Sequence, residues 1–180
     1  ASGFDPRGMP IFFERMQRAT RIYEGGAPSY LRTHPLTFER IADIQNRMES
    51  LPYRQVADSL DFQLIRAKLR AETETPRDAV AFFEASLAER KFLSETASRY
   101  GLVASLMRAR DFDRAQRELA PLRKTPSAII ENLACQLAAA TGEAATALKC
   151  FEAARRLYPG SRALFYGNVE QLLQTRQADA

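Results

Sequence analysis

Three kinds of side chain in this sequence could carry chemistry: one histidine, two cysteines and two pairs of closely spaced carboxylates. His34 sits in the run Thr33-His34-Pro35 and, as the only histidine, cannot belong to a site built from several imidazoles. A four-coordinate zinc would need three further nitrogen, sulfur or carboxylate ligands, and the flanking run from Ser29 to Leu36 has no cysteine or carboxylate. Read from the residues alone, His34 is a surface or hydrogen-bonded loop residue. Cys135 and Cys150 are too few for a four-cysteine zinc cluster or a disulfide-built miniprotein. They fall on two facing helices of one hairpin, with Cys150 expected to point away from the side taken by Phe151. Two inert buried thiols are the favoured reading and a disulfide the alternative. The pairs Glu72/Glu74 and Asp111/Asp113 lie at turns and helix starts, where carboxylates complement the helix dipole and cap free N–H groups. General acid–base work would require a pocket and shifted pKa values, which no pattern here indicates.

Charge narrows the function classes further. The 26 basic residues comprise 22 Arg and four Lys (Lys68, Lys91, Lys124, Lys149), set against 22 Asp and Glu for a net charge of +4. They are interleaved with acids along the chain rather than gathered into a run, so they read as solvated helix faces and not as a nucleic-acid surface. No apolar stretch approaches the roughly 20 residues of a bilayer span, and the first residues show no basic-then-apolar leader. With 46% hydrophobic residues the chain has an ordinary globular composition.

The elements that must position these residues are helices, and the expected class is all-α. Phe12, Met16, Ala19 and Tyr23 recur at helical spacing behind Asp5-Pro6, an N-cap and first-turn proline, and Gly25-Gly26-Ala27-Pro28 stops the helix. A second helix opens at Thr37, with Leu36 and Ile41 at staple positions and Ile44 and Met48 continuing its apolar stripe; Leu51-Pro52 ends it. Phe12-Phe13 and Phe82-Phe83 read as core residues rather than stacking platforms. From Tyr53 onward the chain repeats itself. Ala79, Ala115 and Ala147 lie 36 and 32 residues apart, each followed four residues later by a large apolar residue: Phe83, Leu119, Phe151. These separations bracket the 34-residue period of tetratricopeptide (TPR) repeats. A small residue lets one helix approach its partner closely, and a proline after the second helix turns the chain into the next hairpin.

The repeat predicts hairpins at about 55–91, 93–124 and 127–158, and a fourth first helix from Arg162 carrying Phe165, Val169 and Leu172. Residues 1–52 and 53–180 form the two expected domains. The last helix lacks a partner within the sequence, and the chain is expected to be cut at its C-terminus. In a helical-hairpin solenoid the first helices line a concave face that takes an extended or helical peptide. The register set by the alanines directs Leu64, Lys68, Tyr100, Ala104, Met107, Asn132, Gln136 and Tyr166 towards that face.

Two N-terminal stretches carry a more specific signal. They are Gly3-Phe4-Asp5-Pro6-Arg7-Gly8-Met9-Pro10 with Phe12-Phe13-Glu14-Arg15, and Pro28 to Leu36 continuing to Glu39-Arg40-Ile41-Ala42-Asp43. Both resemble the region just downstream of the zinc site in bacterial HExxH metallopeptidases of the HtpX-related class, and most closely the periplasmic subgroup with a C-terminal TPR domain (the BepA/YfgC-like proteins). The resemblance implies that residues 1–50 are the end of a peptidase domain and 53–180 the start of a TPR domain. It implies zinc in the parent protein, held by HExxH and a further glutamate that these 180 residues do not carry, so no peptidase activity is expected of the chain itself. Ala1 is expected to follow just after the last ligand. His34 matches a loop histidine near the zinc, which would make it a regulatory ligand in the intact parent only. The family further implies a periplasmic location, association of the parent with the outer membrane, and client polypeptides or assembly machinery as partners. That setting leaves the pairing of Cys135 and Cys150 open. The alternative is a free-standing TPR adaptor with no peptidase parent.

Overall fold

The computed structural model describes residues 5–20, 38–49, 51 and 56–175. Among them it is all-helical, as expected, and it divides into two units, 1–57 and 58–180. The first unit holds α1 (Gly8–Thr20) and α2 (Phe38–Glu49), which pack on each other around the buried Ile41. Asp5 Oδ1 accepts the Arg7 N–H at 3.0 Å and sets the turn into α1, which begins two residues after Pro6. Gln45 Nε2 donates to Glu14 Oε1 at 3.1 Å across the pair. Phe12, expected in a core, is instead 56% exposed.

The second unit is a helical-hairpin solenoid: α3 (Leu60–Thr73) with α4 (Pro76–Ala88), α5 (Glu95–Arg108) with α6 (Phe112–Leu122), α7 (Ala128–Ala140) with α8 (Ala144–Leu157), then α9 (Arg162–Gln174). Local chemistry sets the helix starts. Ser59, Thr75, Ser94, Asp111, Ser127 and Ser161 each accept a backbone N–H from the first turn of the helix they precede. Pro76 occupies the first position of α4, where its missing N–H costs nothing. Helices α4, α5 and α7 end alike: Lys91, Asp111 and Glu143 donate their N–H back to Ser86, Leu106 and Ala138, closing a Schellman-type turn around a left-handed residue. That residue is Gly142 in one turn and an arginine, Arg90 or Arg110, in the other two turns.

Ala79, Ala115 and Ala147 are all fully buried at their hairpin crossings. The aromatic one turn later uses a partner that the repeat spacing does not predict, a glycine on the first helix of the following hairpin. A Cβ on Gly101 would lie 2.2 Å from Phe83 Cζ, and one on Gly167 would lie 2.5 Å from Phe151 Cε1. These mid-helix glycines are sockets for the aromatic rings. Phe82, expected in the core, stays 40% exposed and carries the Arg70 guanidinium over its ring at 3.7 Å from the centroid.

The helix α5 is the hub, packing against α3, α4, α6 and α7. Its buried face joins Leu64, Phe83, Leu119 and Ile130 in one large core. A second, smaller core holds Cys135, Phe151, Ala154 and Leu164. There the expectation of two free thiols is overturned: Cys135 and Cys150 form a disulfide between α7 and α8, with Cα atoms 5.4 Å apart. The two helices bring the cysteines within bonding distance even though Cys150 precedes the buried Phe151 by a single residue.

Candidate functional site

A groove of about 540 Å³ runs across the second unit where α3, α5 and α7 lie side by side, with Phe112 of α6 at one edge. Helical spacing builds each wall. Lys68, Ala71 and Glu72 come from successive turns of α3, Tyr100, Ala104, Met107 and Arg108 from α5, and Leu133, Gln136 and Ala140 from α7. The floor is apolar, with Met107 and Ala104 half-buried and Leu133 buried, while Lys68, Glu72, Arg108, Arg110 and Gln136 supply the polar groups.

Five of the eight residues that the repeat register directs to this face line the groove: Lys68, Tyr100, Ala104, Met107 and Gln136. Leu64 does not, being wholly enclosed in the large core. Asn132 is buried with its Oδ1 lacking a hydrogen-bond partner, against Gly167 of α9, and Tyr166 is exposed on α9 away from the groove lining. Glu72, Arg108 and Ala140 were missed, although each sits four residues beyond a residue that was chosen (Lys68, Ala104, Gln136) and the same period would have found them. Phe112 and Arg110 lie outside the first helices and carry no such signal.

Electrostatics divide the groove into two halves. On one side Lys68 Nζ lies 3.7 Å from Glu72 Oε1, a neutral pair along α3. Tyr100 beside it is buried, and that burial, with the Glu72 charge in second place, pushes its phenol up to about 12, so the hydroxyl stays neutral at all physiological pH values. On the other side the Arg108 guanidinium donates to the backbone carbonyls of Ala71 and Glu74, the latter at 2.9 Å, at the C-terminus of α3. Carbonyl dipoles fix this arginine in place without cancelling its charge.

Neither a metal centre nor a catalytic cluster comes together in this region. Among the described residues no group of three His, Cys, Asp or Glu side chains could hold a metal ion, and both cysteines are committed to their disulfide. The donor set here therefore does not fit zinc. His34 lies outside the described residues. No described helix is long and apolar enough to cross a membrane.

No family model matches the chain. It is 33% identical over 122 residues to the beta-barrel assembly-enhancing protease of Escherichia coli (strain K12), a match covering 67% of this chain and 25% of that protein. The protein of the same name from Yersinia pestis is 28% identical over 122 residues, with the same coverage. Over this stretch the chain is related to the beta-barrel assembly-enhancing proteases. It spans about a quarter of the length of the curated relatives it matches.

Proposed function

We propose that this chain is the protein-binding, TPR-type region of a periplasmic zinc metalloprotease that acts in outer-membrane barrel assembly, together with the tail of its peptidase domain. On this reading the groove between α3, α5 and α7 holds a segment of a client polypeptide or of the assembly machinery. The peptidase chemistry belongs to the parent protein, which would bind zinc through residues upstream of this stretch. His34 would sit near that metal and compete for its open position. One observation carries the proposal: a chain related to proteins named as barrel-assembly proteases folds into a solenoid whose first helices line one continuous, largely apolar groove.

Site-specific photo-cross-linking tests it. A benzoylphenylalanine at Gln136, in the groove, should give adducts with a urea-denatured outer-membrane barrel protein diluted into buffer with the full chain. The same probe at Glu152, exposed on α8 and outside the groove, should give few. Equal adducts from the two positions would count against the groove as the binding face.

A further inference from the structure

The three Schellman-type turns of the second unit share one backbone conformation but not one residue type. Gly142 has φ of 84°, and glycine is the residue that tolerates this region without a steric penalty. Arg110 adopts φ of 60° in the equivalent turn between α5 and α6, where its Cβ makes the conformation unfavourable. Two of the three turns carry an arginine where glycine is favoured, and for the one at the groove a reason beyond folding is at hand. Arg90, at φ of 54°, has the same backbone but does not line the groove, whereas Arg110 does.

Charge balance around the groove gives that reason. Lys68 and Glu72 offset each other along α3. Arg108 is anchored by two carbonyl oxygens, and among the described residues neither Arg108 nor Arg110 pairs with a carboxylate. Asp111, next in sequence, is committed to α6, where it accepts the Arg114 N–H at 3.3 Å and lies 3.5 Å from the Arg114 guanidinium. Two uncompensated guanidinium groups thus border an apolar floor of Ala104, Met107 and Leu133. A guanidinium recognises a carboxylate through paired, charge-assisted hydrogen bonds.

Resting on the reading of the groove as a polypeptide site, the geometry points to an acidic segment as its occupant: an apolar side chain on the Ala104–Met107–Leu133 floor, with a neighbouring Asp or Glu carboxylate held by Arg110 and Arg108. Arg110 is the residue that selects for charge, and the left-handed turn places it at the groove.

Fluorescence anisotropy with the full chain tests this selection. The probes are three fluorescein-labelled dodecapeptides that share the same leucines, flanked by Glu, by Gln or by Lys. The Glu peptide should bind about tenfold tighter than the Gln peptide, with the Lys peptide weakest, and its advantage should shrink as salt rises. Arg110→Gly should reduce that advantage to less than about twofold, while Arg90→Gly, which removes the same charge from the same backbone conformation elsewhere, should leave it unchanged. Both variants should melt no lower than the parent chain, because each relieves a left-handed arginine, so lost binding would not reflect unfolding. Equal affinity for the Glu and Gln peptides, or an equal loss in the two variants, would overturn the acidic preference while leaving the groove reading intact. Failure of all three peptides to bind would overturn both.

Discussion

The stretch from α3 to α6 and the stretch formed by α8 and α9 use helices of similar length but are held together differently. In the first, α5 is buried against its neighbours within one large apolar core, and ion pairs cross between elements: Arg99 with Glu118, and Arg114 with Glu84. The hydrogen bonds that Arg99 donates to Glu95 and Arg114 donates to Glu84 lead the causes that hold these arginines above their ordinary range, consistent with charges already paired in the fold. In the second stretch the core shrinks to Phe151, Ala154 and Leu164 against Cys135 of α7, and α8 begins without a side-chain cap. Among the described residues no ion pair joins α8 or α9 to anything else. The disulfide lies at this thinner end. A solenoid repeat can therefore keep its geometry while changing the force that maintains it, from packing at one end to a covalent link at the other.

The largest effect expected from this contrast is on the disulfide. Its cysteines are 15 residues apart, and closing a loop of that length restricts the unfolded chain by about 3 kcal/mol. Replacing both with alanine should remove roughly that much stability, with faster hydrogen exchange confined to α7, α8 and α9. Unchanged urea unfolding would mean that packing alone holds this end, and the contrast would collapse.

The glycine sockets sharpen the comparison with a smaller effect. Gly101→Ala gains roughly 1 kcal/mol of helix propensity but drives a methyl into the Phe83 ring, an overpacking cost of about 1–3 kcal/mol or more. Phe83 lies within the large core and edge-on to the partly exposed Phe82, which limits how far it can yield. Gly167→Ala meets Phe151 in the smaller core, where the overlap is slighter, 2.5 Å against 2.2 Å at the nearest ring carbon. Thermal melts should therefore show Gly101→Ala the more destabilised of the two by about 1 kcal/mol. The reverse order would mean that the small core is the stiffer one.

Tyr100 supplies the smallest and most local test. Its phenol titrates at about 12 in the fold, against 10.0 for an ordinary tyrosine, so the folded state holds the proton more tightly. The associated stability is complete below the unfolded value and is lost as pH rises through the folded one, at about 1.4 kcal/mol per pH unit in between. Urea midpoints of the parent chain should fall more steeply from roughly pH 10 to 12 than those of Tyr100→Phe. Parallel slopes in the two proteins would refute the assignment.

Much of the fold was legible because its signals are local. Thr75-Pro76 and Ser161 mark helix starts within a few residues of themselves, and Ala79, Ala115 and Ala147 repeat with a fixed period. The glycine sockets were not legible, because Gly101 and Phe83 are 18 residues apart and lie in different hairpins. The disulfide was not legible because one helical residue turns a side chain by about 100°, and the expectation of two thiols hung on the side assigned to Cys150 beside Phe151. The same sensitivity separates Leu64, which is enclosed in the core, from Lys68, which lines the groove one turn later. Arg110 escaped notice for a different reason: nothing about an arginine in sequence announces a left-handed turn.

The cross-link between α7 and α8 also has a mechanical consequence. A chain drawn out by its ends pays out the length of every segment that unravels, but the 15-residue span closed by Cys135 and Cys150 can never be paid out while the bond is intact. Roughly 50 Å of extensible contour is thereby withheld, and a pull on this unit must exhaust the slack of its other hairpins instead.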